Sequence, residues 1–265
     1  MRELDSIAVV GAGRLGTALA AALRASGLAV EGPLGRGAEP RAGVVLLCVP
    51  DAEIAAAAGA VEPGRLVGHC AGALGLEPLS SHEGFALHPL MTVPAGAPPD
   101  VLAGAGCAID GATPRALRIA AALAARLRMR ATRVAPEDRA AYHAAASMAS
   151  NFLVALEGAA ERLAATAGVD RALLAPLVRA AVENWARLGA ERALTGPIAR
   201  GDEATVARQR EAVHERAPEL APLFDALADA TRALAIATGR GQILRSRTAK
   251  RSDGMQDLTP GGVAA

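Results

Sequence analysis

The chain has 265 residues, of which 52% are hydrophobic, enough for one large domain or two ordinary ones. A net charge of +1 and an aromatic content of 2% argue against binding to nucleic acid or to a membrane surface. Three scattered cysteines predict no metal site and suit free thiols in a reducing compartment. Without a membrane-length apolar run or a recognisable secretory signal, we expect a cytoplasmic protein.

A glycine-rich turn between an apolar strand and a helix is the first feature along the chain. The segment IAVVGAGRLGTAL places Gly11, Gly13 and Gly16 in the order that dinucleotide-binding proteins use. Gly11 allows the turn, Gly13 lets a pyrophosphate approach the backbone, and Gly16 lets the helix pack on the strand. We expect the phosphates at the start of this helix, beside Arg14 and Leu15.

The alternation of strands and helices predicts an α/β fold, with a Rossmann NAD(P)-binding domain in residues 1–135. The expected strands are 7–10, 28–34, 44–49, 66–70, 85–87, 106–109 and 131–134. The expected helices are 14–26, 51–60 and 114–127. This pattern predicts a parallel sheet with helices on both faces, and Asp51 is expected to cap the second helix.

The end of the second strand bears on the choice of cofactor. Glu31, 20 residues after Gly11, has the spacing of the acid that binds the ribose in NAD proteins. Arg36 lies just beyond the strand, where a guanidinium can hold the 2′-phosphate of NADP. We expect NADP, with NAD as the less favoured alternative.

Further candidates follow from the rule that open α/β sheets bind ligands at the carboxyl ends of their strands. Val49 and Pro50 end the third strand, and Gly72 could let a cofactor pass close to the backbone. His88 precedes a proline, which holds it extended and makes it a candidate catalytic residue. His69 is more simply interpreted as a structural residue.

The second half is helical and predicts a substrate-binding or dimerisation domain over residues 136–238. Its expected helices are 136–167, 171–188, 203–215 and 218–238. The alanine-rich faces of these helices predict a homodimer, because one chain cannot cover them all. The basic, polar segment 239–265 predicts a disordered tail, and the only lysine of the chain, Lys250, lies there.

A polar stripe marks the long first helix of this half. His143, Ser147 and Asn151 are spaced by four residues, with Tyr142 and Ser150 beside them. The stripe suits either a set of hydrogen bonds between helices or one wall of a cofactor cleft.

A second polar cluster interrupts the later helices. In LTGPIARGD a Gly-Pro pair breaks the helix and leaves Thr195 and Arg200 in the gap. This arrangement suits a substrate pocket, although an ordinary connection between helices has the same composition.

Four segments together, GAGRLG, HPLMT, YHAAASMASN and LTGPIARGD, resemble a bacterial family of Rossmann-like proteins with a C-terminal helical domain of unknown function. The family is related to 6-phosphogluconate dehydrogenase-like, ketopantoate reductase-like and pyrroline-5-carboxylate reductase-like enzymes. The resemblance implies an NAD(P) domain, a helical second domain and a dimer formed through those helices. The relatives place a catalytic lysine near an asparagine, which Asn151 could match, but Ser147 stands at the lysine position.

The residues together suggest an NADP-dependent oxidoreductase that moves a hydride to or from a small carbonyl, imine or hydroxy-acid substrate. In this interpretation His143 or His88 is the general acid or base and Asn151 orients the reacting group. Arg200 would pair with a substrate carboxylate. The substrate-binding candidates are Tyr142, Ser147, Thr195 and Arg200. One alternative is a non-catalytic NAD(P)-binding sensor, and another is a ketopantoate reductase-like enzyme with an acid/base other than lysine.

Overall fold

The computed structural model describes residues 4–237, so the tail expected over 239–265 lies outside the described residues. The chain divides into two compact units, Met1–Phe152 and Leu153–Ala265. The division falls after the polar stripe, whereas the sequence pattern changes at about residue 136. The first part of the long helical stretch therefore packs with the α/β unit.

The described part of the first unit contains a seven-stranded sheet in the order β2-β1-β3-β4-β5-β6-β7. The strands are β1 Ser6–Val10, β2 Ala29–Leu34, β3 Val44–Leu47, β4 Leu66–His69, β5 Glu83–Leu90, β6 Gly106–Gly111 and β7 Arg130–Arg133. The helices of this unit are α1 Arg14–Ala25, α2 Ile54–Gly59, α3 Pro114–Arg126 and α4 Arg139–Ser147. All seven expected strands are present, and their bounds differ by up to three residues from those predicted.

One strand runs against the expected direction. β6 pairs antiparallel with β5, while all other neighbours in the sheet are parallel. The sheet is therefore mostly parallel, as expected, and the antiparallel strand β6 is the exception to that expectation. Parallel neighbours need a crossover, usually a helix, but the connection 91–105 contains no helix and lets the chain turn back beside β5.

The core of the first unit lies on both faces of the sheet. Alternate residues of β3 pack into separate clusters, with Val44 and Leu46 on the face covered by α1 and α3. Val45 and Leu47 pack on the other face, beneath α2. Period-two side-chain alternation thus buries both faces, as the continuous apolar run of β3 predicts.

The polar stripe does not lie on one regular helix. α4 ends at Ser147 and a π-helical turn, Met148–Phe152, precedes α5 Leu153–Ala165. Since a π-turn widens the helix by a residue, it breaks the four-residue spacing of the stripe. The expected single helix over 136–167 is therefore wrong at its centre.

The second unit is helical throughout its described part. After α5 it contains α6 Arg171–Leu188, α7 Ala190–Ala193, α8 Pro197–Arg200, α9 Glu203–Arg216 and α10 Ala221–Ala237. Its buried cluster joins Ala159 of α5 to Val213 of α9 and Ala221 of α10. None of the helices described in the structure is long and apolar enough to cross a membrane.

Candidate functional site

The glycine turn after β1 is built as tightly as its spacing predicts. Gly11 has a φ of +112°, and a Cβ there would collide with the carbonyl of Cys48. A Cβ at Gly16 would collide with the carbonyl of Gly11, so α1 packs directly on the turn. A Cβ at Gly13, by contrast, would have no neighbour within 4 Å. The first and third glycines thus serve the fold, and the middle one leaves open space.

The start of α1 presents unpaired backbone donors to this space. Gly13 occupies the N-cap position and has no side chain to cap the helix, and the N–H of Thr17 is the first to bond within it. Neither Asp nor Glu lies in the first turn. Arg14, the first helical residue, is exposed. Free N–H groups and the positive end of the helix dipole favour an anion here.

Two cavities meet at Gly13. The first, of about 670 Å³, extends from the glycine turn past the end of β2 to α2. The second, of about 810 Å³, lies toward β5 and the π-turn. Both cavities are also lined by Cys48, Val49 and Pro50, which follow β3. Together they form a groove across the carboxyl ends of the parallel strands.

Arg36 lines the first cavity and is 84% exposed. Its Nη2 lies 2.8 Å from Oε1 of Glu53, in the 3₁₀ turn before α2. Glu31 is directed elsewhere, because its Oε2 accepts hydrogen bonds from the N–H groups of Arg41 and Ala42. The arginine is therefore held beside the cavity, while the competing acid binds the neighbouring loop.

The second cavity brings together several of the predicted residues. From the predicted set it is lined by Gly13, Arg14, Leu15, Val49, Pro50, His88 and Asn151. Asn151 reaches it from the π-turn, together with Ser150, whose Oγ donates to the carbonyl of Ala146 at 2.7 Å. Three other predicted residues contact His88 but do not line the cavity: Tyr142, His143 and Gly72. Ser147 neither contacts His88 nor lines the cavity.

His88 and Tyr142 form the central pair of this region. Nδ1 of His88 lies 2.9 Å from the Tyr142 hydroxyl. Burial, with a smaller contribution from His143, lowers the pKa of His88 from 6.5 to about 4. Burial raises the pKa of Tyr142. Both groups are therefore neutral at neutral pH.

Gly72 lies against both histidines. A Cβ there would stand 2.6 Å from Cδ2 of His143 and 2.9 Å from Nε2 of His88. The two imidazole rings meet nearly edge to face, with centroids 6.0 Å apart. Gly72, predicted to line the path of a cofactor, is in this structure the residue against which the histidine rings pack.

His69 has both ring nitrogens engaged. Its Nδ1 accepts from the N–H of Ala71 at 3.1 Å, so Nε2 carries the proton and donates to the carbonyl of Gly75 at 2.7 Å. Burial lowers the pKa of His69. These contacts match the structural interpretation of this residue.

Two residues near the second cavity have roles that the sequence pattern did not indicate. Asp51, expected to cap a helix, makes no side-chain cap; the helical turn starts after Pro50, and Asp51 lines the cavity instead. Arg139 is 1% exposed and pairs with Asp110 of β6 at 3.3 Å. It also donates to the carbonyl of Leu74 at 3.0 Å, while its buried Nε has no partner. A single arginine at the start of an alanine-rich helix carries no signal that it is buried.

Thr195 and Arg200 lie in the second unit, between and at the end of the short helices α7 and α8. Both side chains are exposed. Gly196 has a φ of +96°, which turns the chain before Pro197 starts α8. Among residues 4–237, three or more His, Cys, Asp or Glu side chains are nowhere grouped so that they could hold a metal ion.

Comparisons with known proteins support the fold. Residues 105–231 match the family DUF2520, a domain of unknown function, which confirms the resemblance seen in the sequence. No curated protein is recognisably similar in sequence. A Bacteroides fragilis protein described as a candidate NADP oxidoreductase shares 20% identity over 88% of this chain and 100% of its own, with a TM-score of 0.76. Protein TM1727 from Thermotoga maritima shares 24% identity over 87% of this chain and 98% of its own, with a TM-score of 0.71.

A more distant structure is similar over nearly the same length. The 1-pyrroline-5-carboxylate reductase of Streptococcus pyogenes shares 12% identity over 86% of this chain and 98% of its own, with a TM-score of 0.59. These similarities establish a Rossmann-like unit followed by a helical region.

Proposed function

We propose that this chain, which carries the DUF2520 domain on a Rossmann-like fold, is an NADP-dependent oxidoreductase acting on a small molecule. The observation that carries the proposal is the groove across Gly13, with Arg36 in one cavity and His88 in the other. Its two halves suit the two nucleosides of a dinucleotide, and the open space at Gly13 suits the pyrophosphate.

The residues present fit NADP. The pyrophosphate would bind the free N–H groups at the start of α1 and the exposed Arg14. The 2′-phosphate would take Arg36 from Glu53, since a guanidinium donates two parallel hydrogen bonds to phosphate. When bound, the nicotinamide supplies or accepts a hydride. The similar structure described as a candidate NADP oxidoreductase also supports this choice.

The protein's own residues would position the substrate. Asn151 reaches the second cavity from the π-turn and would orient the reacting group. His143 or His88 would hold or move a proton. Tyr142 orients His88, and Ser147, Thr195 and Arg200 remain candidates for substrate binding, Arg200 for a carboxylate. The apolar residues Leu15, Met91 and Val93 line the same cavity and would limit the access of water to a bound substrate.

The direct test combines binding and turnover. Titration calorimetry should show NADPH binding more tightly than NADH. A screen of oxo acids, imines and hydroxy acids, followed by NAD(P)H absorbance, should then show turnover with at least one class. The proposal would be contradicted if neither NADPH nor NADH bound at millimolar concentration.

A non-catalytic NAD(P)-binding sensor is the second candidate. It is favoured by the neutral state of His88 and by the absence of lysine from residues 4–237. Tight cofactor binding without turnover on any substrate of the screen would select this function. A ketopantoate reductase-like enzyme with a histidine acid/base is tested by ketopantoate in the same screen.

We also propose that the protein works as a homodimer in the cytoplasm. Sγ of Cys48 and Sγ of Cys70 lie 3.7 Å apart as free thiols. Neighbouring thiols persist in a reducing compartment, whereas an oxidising one favours their disulfide. The exposed apolar side chains of the helical unit support self-association.

A further inference from the structure

The second cavity has an unusual set of charged and titratable groups. Those that line it are Arg14, Asp51, His88 and the thiols of Cys48 and Cys70. The hydrogen bond with Cys48, together with burial, raises the pKa of the Cys70 thiol. Arg14, as the first residue of α1, lies at the phosphate end in the proposed function. Asp51 and His88 remain for the substrate, and the charge of Asp51 acts on both His88 and His69. The substrate part of the cavity thus contains a carboxylate and a neutral imidazole.

The same part of the cavity offers no strong proton donor. The Tyr142 hydroxyl does not line the cavity and is engaged with Nδ1 of His88 at 2.9 Å. Burial lowers the pKa of His88 to about 4, so its ring is neutral near pH 7, and its Nε2 lies against Gly72. Residues 4–237 contain no lysine that could lower the pKa of Tyr142 or replace it as an acid. A ketone would need such an acid to protonate the oxygen that forms on reduction.

We propose that the substrate reduced in this cavity is an iminium ion, held by the carboxylate of Asp51. This inference rests on the proposed function and names its substrate class. A cation is attracted by Asp51, and the nearby carboxylate favours the protonated form of an imine over the neutral form. An iminium brings its own proton, so the cavity needs no acid.

The reaction balances without a proton from the protein. A bound reduced nicotinamide would supply the hydride, which forms a C–H bond at the iminium carbon. The π pair of the C=N bond moves to nitrogen, which becomes a neutral amine. The cation is reduced, the nicotinamide is oxidised, and no other oxidant, reductant or proton takes part.

The test compares a permanent cation with a neutral ketone of similar shape. N-methyl-3,4-dihydroisoquinolinium cannot lose its charge, and 2-tetralone has none. Wild-type protein with NADPH should reduce the iminium in preference to the ketone, with a rate that changes little between pH 6 and 9. With bound NADP⁺, which allows no turnover, calorimetry should show iminium binding that weakens as salt rises.

Substitutions of Asp51 test the role of its charge. Asp51→Asn should weaken iminium binding and lower kcat/KM by on the order of 2- to 5-fold, as loss of one exposed charge pair predicts. It should leave NADPH affinity unchanged, and Asp51→Glu should restore most of the loss. Asp5→Asn, the same change at an exposed residue before β1, is the matched control.

The outcomes separate this inference from the proposed function. Reduction of 2-tetralone but not of the iminium, or equal iminium binding by Asp51→Asn, would overturn the iminium assignment and leave the oxidoreductase proposal standing. Iminium binding without reduction by NADPH would also overturn it. Failure of NADPH itself to bind would remove the proposed function and the inference with it.

Discussion

Gly13 separates folding from binding at a single residue. A Cβ at this position meets nothing within 4 Å, so Gly13→Val should fold normally. Its side chain would occupy the space assigned to the pyrophosphate, and dinucleotide binding should be lost. Circular dichroism checks the fold and titration calorimetry the affinity. Unchanged affinity in a folded variant would refute the phosphate site at this turn.

Arg36 tests the choice of cofactor. Hydrogen bonds to charged groups contribute roughly 1.5–3 kcal/mol, so Arg36→Ala should weaken NADPH binding on the order of 10- to 150-fold. NADH binding should change little. Glu53→Gln should act in the opposite direction, because it frees Arg36 and removes a negative charge that repels phosphate. Equal weakening of both cofactors by Arg36→Ala would assign Arg36 a structural role instead.

His88 should titrate well below an ordinary histidine. Burial, His143 and Arg139 lower its pKa, Asp51 opposes them, and the result is about 4 against 6.5. A lowered histidine pKa means that the unfolded chain binds more protons. Stability from this group is therefore present above pH 6.5 and is lost as the pH falls toward 4.

Histidine NMR provides the measurement. The ring C–H resonance of His88 should shift with a midpoint near pH 4, and His88→Gln should lose less stability than wild type between pH 6.5 and 4. His69, whose pKa is also lowered, should account for part of the loss that remains. A titration midpoint above pH 6 for the His88 resonance would contradict the burial of this side chain in the structure.

At the scale of elements, one buried ion pair holds α4 to the sheet. Arg139 on α4 pairs with Asp110 on β6, and Tyr142 and His143 follow three and four residues later. Residues at this spacing lie on the same side of a helix. Arg139 therefore directs the side of α4 that meets His88.

Removing one member of this pair should be costly. Arg139→Met leaves the carboxylate of Asp110 buried, and breaking buried pairs costs about 3–5 kcal/mol. Arg133 approaches the other oxygen of Asp110 at 3.5 Å but is 67% exposed. Arg133→Met is the matched control and should cost about 0–1 kcal/mol. Urea unfolding measures the free energy of unfolding of both variants. Similar losses of stability in the two would show that the burial of Arg139 does not set the cost of removing it.

At the scale of the whole molecule, apolar side chains exposed on the helical unit predict the homodimer. Leu173, Leu177 and Trp185 of α6 are 70%, 68% and 57% exposed. They lie at multiples of four residues and so follow one side of the helix. A continuous apolar stripe of this kind marks an association surface.

A charge on this stripe should separate the subunits. Leu177→Glu would have to bury a carboxylate in the interface, so light scattering should show mass shifting from dimer to monomer. Arg179→Glu, two residues on and on the other side of α6, should remain dimeric. A monomeric wild type at micromolar concentration would contradict the expectation.

Much of the fold could be predicted because its signals are local. The helix after Gly13 and the strand at Val44 follow from glycine spacing and apolar runs that a few residues contain. The antiparallel direction of β6 could not be predicted, since the direction of a strand depends on how the chain crosses the sheet. The π-turn at Met148 was also missed, because nothing in its composition differs from an α-helix.

The sequence alone determined the glycine turn, the order of strands and helices, the helical second half and the absence of lysine from residues 4–237. Each depends on residue identity or on neighbours within a few positions. Only the tertiary structure decided that Tyr142 meets His88, 54 positions earlier, that Gly72 packs under two histidines and that Arg139 is buried against Asp110. Such contacts join segments that are distant in the sequence. The order of the strands and the packing of the helices bring these segments together, and no local sequence pattern encodes either.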